Sequence, residues 1–106
     1  PDLDQIKTCH KIGSDMIEVH TGAFCDATSK LKKEREFARI VDAVKLAAKL
    51  KLGVNAGHGI CYNTIKAFKG LSEIDEFSIG HSIVSRAVIT GMEQAVRDMA
   101  RLIREL

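Results

Sequence analysis

Histidine and glycine stand together at two places in the sequence, each time after a short apolar stretch. Residues 52–60 read LGVNAGHGI, which places a glycine on both sides of His58. Residues 77–83 read FSIGHSI, where Gly80 precedes His81. Glycine gives up side-chain packing in exchange for unusual dihedral angles or close backbone approach, so its use beside an imidazole indicates that something comes near this backbone. We therefore expect both loops to be functional.

The two loops suit different chemistry. An imidazole can take up or release a proton near neutral pH, so His58 is a candidate for proton transfer. Gly80 and His81 stand where a helix is predicted to begin, and free N–H groups at a helix start form an anion site that glycine leaves accessible. The structural alternatives are a loop histidine bonded to backbone at His58, and a plain strand-to-helix turn with His81 at the surface.

A carboxylate and a third histidine lie two residues apart in the stretch MIEVHTG, residues 16–22. On a strand, Glu18 and His20 point to the same side. A carboxylate that faces an interior costs desolvation energy unless it has work or a partner, so Glu18 is a candidate site residue; a structural ion pair is its alternative. His20 has the alternative of a hydrogen bond to a neighbouring loop.

A metal site is a rival interpretation of the same residues. Imidazole and carboxylate ligands suit zinc or iron, and four side chains at one edge of a sheet could converge: Glu18, His20, His58 and His81. The sequence contains no local metal-binding spacing such as H-E-x-x-H to favour this interpretation.

Composition places limits on class and location. The 16 basic and 14 acidic residues are interspersed and leave a net charge of +2, which does not favour nucleic acid as a partner. The three cysteines form no C-x-x-C pair, which indicates reduced thiols. No apolar run approaches the roughly 18 residues of a membrane span, and the first residues lack a signal-peptide core. We predict a soluble, cytoplasmic protein that does not enter membranes.

Hydrophobic spacing and helix caps predict alternating helices and strands. The predicted order is a helix from Asp2 to Gly13, a strand at 16–22, a helix from Ser29 to about Lys51, a strand at 53–57, a short helix ending at Gly70, a strand at 77–80, and helices beginning at His81 and Met92. Apolar spacing in the last helix predicts a buried set: Ala95, Val96, Met99, Leu102, Ile103 and Leu106. This alternation is typical of an α/β fold with a parallel sheet and right-handed crossovers.

Each predicted strand has an apolar side and a polar or small side. The apolar sets are Ile17 and Val19, Val54 and Ala56, and Phe77 and Ile79; the others are Glu18, His20, Asn55, Gly57, Ser78 and Gly80. A doubly wound sheet would be apolar on both faces, whereas a barrel strand near the mouth faces a polar interior. An eight-stranded barrel takes about 200 to 250 residues, whereas only three strands are predicted here. We therefore expect residues 1–106 to form a single partial domain, the C-terminal portion of a (β/α)8 TIM barrel.

Three ordered motifs resemble one known family. The stretches IEVHTG, GVNAGHGI followed by Tyr62 and Asn63, and EFSIGHSIVSRAVITGMEQAVRDM are similar to the C-terminal part of pyridoxine 5'-phosphate synthases. That family has the (β/α)8 barrel fold. The resemblance implies condensation of 1-deoxy-D-xylulose 5-phosphate with 3-amino-2-oxopropyl phosphate to give pyridoxine 5'-phosphate, phosphate and water. It implies no metal or organic cofactor, and homo-oligomers as large as octamers.

The resemblance also assigns roles to individual residues. Glu18 matches the residue that stabilises the transition state, and His58 matches the proton donor, which also contacts substrate. Gly80 and His81 match the site for the amino ketone phosphate. The family's proton-accepting histidine and glutamate, and its phosphate-binding arginines, belong to the N-terminal half, so we expect no catalysis by this chain alone. The alternative is a non-catalytic module that binds phosphate ligands and derives from such a barrel.

Overall fold

The computed structural model describes residues 1–106 and has three parallel strands connected and flanked by helices. The elements are α1 (Leu3–Lys11), β1 (Met16–His20), α2 (Gly22–Cys25), α3 (Lys30–Lys49), β2 (Gly53–Gly57), a 3₁₀ helix (Thr64–Phe68), β3 (Glu76–Ser78), α4 (His81–Thr90) and α5 (Met92–Arg104). The predicted α/β alternation is confirmed. One element was not predicted: β1 ends at His20, and Gly22 begins the short helix α2 instead of closing the strand.

The first two long helices begin at the predicted caps. The Asp2 carboxylate accepts hydrogen bonds from the N–H groups of Asp4 and Gln5, at 2.9 and 3.0 Å. The bond from Gln5, together with that from Asp4, holds the pKa of Asp2 below its ordinary value. At the start of α3, the Ser29 hydroxyl accepts from Lys32 N–H at 3.2 Å. These bonds satisfy N–H groups that a helix start otherwise leaves without partners.

The sheet has the strand order β1-β2-β3, with every pairing parallel. Val19 pairs with Ala56, which in turn pairs with Phe77. One residue earlier, Glu18 pairs with Asn55. Since side chains alternate along each strand, this register puts the predicted apolar residues of the strands on one face and the polar residues on the other. The predicted end of the third strand was wrong: β3 ends at Ser78, so Ile79 and Gly80 lie beyond it.

The apolar face of the sheet is covered and forms the core. Its buried partners from α3 are Ile40, Ala43, Val44 and Ala47, and an aromatic cluster of edge-on and tilted rings beside them consists of Phe24, Phe37, Phe68 and Phe77. Of the apolar set predicted for the last helix, Ala95 and Met99 are buried, but the prediction for Val96 was wrong: this side chain is 47% exposed. Val96 follows Ala95 by one position, which turns it about 100° away from the core.

The opposite face of the sheet is bare. Glu18, His20 and Ser78 are exposed on it, and no helix covers them. No helix in the chain combines the length and the apolar character needed to cross a membrane.

Tyr62 ties the last two helices to the chain before them. Its hydroxyl donates to Ala95 O at 2.7 Å, and the Arg86 guanidinium stacks over its ring at 3.5 Å. Arg86 also lies 3.7 Å from an Asp98 carboxylate oxygen. These contacts fix α4 against the body of the protein, and they place the start of α4 at the end of β3.

Candidate active site

The carboxyl ends of the three parallel strands lie at one edge of the sheet, and the two predicted Gly-His loops meet there. A cleft of about 510 Å³ opens between them, lined by His58 on one side and by Gly80 and His81 on the other. Asp26 and Cys61 also line it. The structure therefore brings together three of the four candidate residues from two separate motifs.

The backbone at His58 is held in an unusual conformation. His58 has a φ of +82° and Gly59 a φ of +77°, both in the left-handed region. The buried Thr21 hydroxyl lies 2.9 Å from Gly57 O and 2.6 Å from His58 O, and Thr21 N–H donates to Gly57 O at 2.8 Å. A left-handed residue other than glycine costs about 1 to 3 kcal/mol and persists only where its surroundings enforce it. Thr21, which directly follows β1, holds the His58 backbone in this conformation.

Glu18 lies on the bare face next to the same loop, although it does not line the cleft itself. Its carboxylate rests against Gly57: a Cβ at position 57 would lie 2.7 Å from an Oε atom. No basic side chain forms an ion pair with Glu18. The structural ion pair that was its alternative is absent from this chain, and Gly57 provides the room in which the carboxylate lies.

His20 lies beside His58. The two imidazole rings stack with centroids 4.3 Å apart and planes 23° from parallel. Nδ1 of His20 accepts the Gly22 N–H at 3.3 Å, a local bond to the first residue of α2 and not the predicted alternative of a bond to a neighbouring loop. His20 therefore contacts both the start of α2 and the candidate acid–base histidine.

The start of α4 has open backbone donors. No side chain caps the helix at Gly80, and its hydrogen-bond ladder begins with Val84 N–H donating to Gly80 O at 3.0 Å. A Cβ at Gly80 would meet nothing within 4 Å, and His81 is exposed. The Ser82 hydroxyl is engaged elsewhere, donating to Ile60 O at 2.8 Å. N–H groups of this first turn are free to receive an anion.

Two thiols near the cleft differ in character. Burial raises the pKa of Cys25, which packs beneath Gly59. Partial burial also acts to raise the pKa of Cys61, but hydrogen bonds from the Thr64 hydroxyl and from backbone N–H groups outweigh it, and the net pKa is lowered. Cys61 is therefore the more readily ionised of the two.

The metal alternative has no support in this arrangement. No group of three or more His, Cys, Asp or Glu side chains lies close enough together to hold a metal ion. His20 and His58 stack face to face, which directs their nitrogens within their own ring planes instead of toward one shared point.

Sequence reasoning missed two contributors to this site. No role was predicted for Thr21, although a Thr-Gly pair directly after a strand is a signal for a hydroxyl that bonds to backbone at a strand end. Asn55 donates from Nδ2 to Ser78 Oγ at 2.8 Å, while its Oδ1 is buried without a partner. Such an acceptor is rare, because most buried polar atoms in native proteins have a hydrogen-bond partner.

Comparison with known proteins is consistent with this geometry. Residues 1–105 match the family model described as pyridoxal phosphate biosynthesis protein PdxJ. Proteins named pyridoxine 5'-phosphate synthase are similar: that of Desulforapulum autotrophicum is 73% identical over all 106 residues, and that of Geobacter sp. strain M21 is 56% identical over 104. A third, from Desulfosudis oleivorans, is 55% identical over 103 residues.

The chain spans 44% of the length of each of these three curated relatives, so it corresponds to less than half of such a protein. Within that length, the match covers the strands, the cleft and both Gly-His loops. The chain belongs to the PdxJ family of pyridoxal phosphate biosynthesis proteins.

Proposed function

We propose that the complete protein is a pyridoxine 5'-phosphate synthase and that residues 1–106 supply its proton-donating and phosphate-binding part. The reaction is the condensation of 1-deoxy-D-xylulose 5-phosphate with 3-amino-2-oxopropyl phosphate. The observation that carries the proposal is the cleft between His58 and the start of α4, in a chain 73% identical to a protein of that name. An acid–base group and an anion site face each other across it.

His58 is the proposed proton donor. Ring closure expels water and phosphate, and a departing oxygen leaves more readily when an acid protonates it. The left-handed backbone and the Thr21 hydroxyl support this role, because they fix the backbone position from which the imidazole side chain extends. A catalytic acid needs such fixed placement, since a reacting group displaced by about 1 Å can lose a factor of 10² in rate.

Gly80 and His81 form the proposed site for the amino ketone phosphate. Open space at Gly80 and the uncapped first turn of α4 support it, because backbone N–H groups can approach phosphate oxygens there. Glu18 is the proposed stabiliser of positive charge in the transition state. Its unpaired carboxylate beside Gly57 supports that role, since no cation of this chain already neutralises it.

The bare sheet face supports a further part of the proposal, that the rest of the protein completes a (β/α)8 barrel. Three strands leave the polar side chains of Glu18, His20 and Ser78 exposed on that face, and closing the barrel would enclose them. Residues 1–106 would then be one partial domain, active only with the remaining strands in place.

Assembly and location belong to the same proposal. The α4 side chains Val84, Val88 and Ile89 are 55%, 81% and 86% exposed, which supports a homo-oligomer in which such surfaces are covered. All three cysteines are free thiols, which supports a reducing, cytoplasmic location.

A product assay tests the function. The full-length protein, incubated with both phosphate substrates, should form pyridoxine 5'-phosphate with release of inorganic phosphate. Calorimetry with 3-amino-2-oxopropyl phosphate should show binding in the same preparation. Binding without product would contradict the synthase and leave the non-catalytic phosphate-binding module, and neither binding nor product would contradict both.

A further inference from the structure

We infer that His20 is a positioning residue: its ring sets the orientation of the His58 imidazole toward the cleft. This inference rests on the proposed function for its effect on rate, but its structural content stands independently. His20 lies on β1 and His58 follows β2, so the contact between them crosses from one strand end to the next.

The His58 ring has few restraints within this chain. Its backbone is fixed by the left-handed φ and by Thr21, yet no hydrogen bond from residues 1–106 reaches either of its ring nitrogens. The ring would therefore rotate about its side-chain bonds if nothing else contacted it. Both ring nitrogens also remain available for substrate. The stack on His20 is the contact that selects an orientation while leaving them free.

His20 is itself held by a backbone hydrogen bond. The Gly22 N–H donates to Nδ1 of His20 at 3.3 Å, and an imidazole nitrogen that accepts a hydrogen bond carries no proton. In the neutral ring the proton is then on Nε2, so the bond fixes both the tautomer and the ring plane. A backbone hydrogen bond thus holds the flat ring of His20 in place, and the His58 ring stacks on it with the ring centroids 4.3 Å apart.

Gly22 lies against both imidazole rings. A Cβ at position 22 would lie 2.6 Å from Cε1 of His20 and 2.9 Å from Cδ2 of His58. Both distances are too short for a real Cβ, so any larger residue would push both rings away. Gly22 begins α2, where alanine is a better helix former. The requirement for glycine here comes from the two imidazoles and not from the helix.

The test uses the full-length protein with ¹³C-labelled histidine. In the wild type, the ring current of His20 should displace the ring proton signals of His58, which are identified by their absence in His58→Asn. In His20→Ala this displacement should disappear, while in His20→Phe a flat ring should preserve part of it, since phenylalanine can stack on His58 but cannot accept the Gly22 N–H. Gly22→Ala, which keeps both imidazoles, should also remove it. His10→Ala, at an exposed site on α1, should leave the His58 signals unchanged.

Rates give the second readout. His20→Ala and Gly22→Ala should each lower kcat about tenfold or more with little change in KM, because a misaligned acid still permits binding. His20→Phe should recover part of the loss. A role in stability alone would lower the melting temperature without this split, and without rescue by phenylalanine.

The outcomes are separable. Unchanged His58 signals in both His20→Ala and Gly22→Ala would overturn the inference, as would loss of the stack with unchanged kcat. If His20→Ala fails to fold, Gly22→Ala decides by the same two readouts. If the wild type shows the ring-current displacement but forms no pyridoxine 5'-phosphate, the synthase proposal fails while the placement of His58 by His20 stands.

Discussion

The two Gly-His loops face each other across one cleft, yet they are built in opposite ways. Around His58 the chain is constrained: two consecutive left-handed residues, a threonine hydroxyl on the backbone carbonyls and a stacked ring beside the imidazole. At Gly80 the chain is open: no side-chain cap, no atom within 4 Å of the glycine's missing Cβ, and an exposed His81.

This difference follows from what each loop is proposed to hold. A proton donor must be aimed at one atom, so every contact that restricts His58 is useful. A phosphate presents several equivalent oxygens to several N–H groups, so the start of α4 needs room and free donors more than a single fixed side chain. The two Gly-His pairs thus suit two different roles, because the residues that surround them differ.

The same substitution at the two histidines should give the largest contrast. In the full-length protein, His58→Asn should lower kcat by about 10² to 10⁴, with a much smaller change in KM. Asparagine tolerates a positive φ, so the backbone and the melting temperature should be kept. His81→Asn should act mainly on KM for the amino ketone phosphate.

Steady-state kinetics with both substrates varied would measure this contrast. His10→Asn, an exposed change on α1, is the control and should match the wild type. Unchanged turnover in His58→Asn would end its assignment as proton donor, and equal effects on kcat at both histidines would break the division between the loops.

A matched pair of glycine substitutions should give the next largest effect. Gly57→Ala places a methyl group 2.7 Å from the Glu18 carboxylate, which can move because it ends a flexible side chain, so the protein should fold with the carboxylate displaced. We expect kcat to fall about 10- to 100-fold, as for a catalytic group moved by about 1 Å. Gly80→Ala meets no atom of the protein, so its effect should be a raised KM.

Melting temperatures and a crystal structure of Gly57→Ala would check the pair. Wild-type kcat in Gly57→Ala with a visibly displaced Glu18 would show that the carboxylate position does not matter. A loss of folding in Gly80→Ala would show that this loop is not open.

The sequence predicted the elements better than it predicted their contacts. Hydrophobic period, caps and strand parity depend on neighbours in the chain, and they correctly predicted the caps Asp2 and Ser29 and the polar face that carries Glu18 and His20. The glycines beside the imidazoles, together with the motif resemblance, singled out His58 and Gly80, whose roles stay predictions. The stack of His20 on His58 and the bond from Thr21 to His58 join residues about 37 positions apart, and no local pattern encodes such pairs. The prediction for Val96 was wrong for a related reason. The elements that pack against a helix decide which of its sides is buried, and Val96 lies one position beyond the buried side.

Loosening the constrained loop should have a moderate effect on stability. Thr21→Val keeps the shape of the buried side chain but removes the hydroxyl that lies 2.6 Å from His58 O. Losing this hydrogen bond should lower the free energy of unfolding by about 1 kcal/mol, the usual net contribution of one hydrogen bond. Thr21→Ser keeps the hydroxyl and should recover part of the loss.

Urea unfolding of the full-length protein would measure these changes. Thr90→Val, at the exposed end of α4, should change the unfolding free energy by no more than about 0.5 kcal/mol. A cost at Thr21 no larger than that at Thr90 would mean that the hydroxyl does not hold the loop.

The smallest effect concerns the two thiols, which report on the two sides of the cleft. Because hydrogen bonds from Thr64 and backbone lower the pKa of Cys61 while burial raises that of Cys25, Cys61 carries more thiolate at any given pH and should react first with iodoacetamide as the pH rises. Peptide mapping by mass spectrometry after timed alkylation gives both rates, with Cys9 on α1 as a reference outside the cleft.

Since Cys61 lines the cleft with Gly80 and His81, added inorganic phosphate should slow its alkylation and leave that of Cys9 unchanged. Equal protection of Cys61 and Cys9 would point to a general effect of salt. Faster alkylation of Cys25 than of Cys61 would mean that the loop at Gly59, which packs on Cys25, opens; this would contradict a constrained backbone around His58.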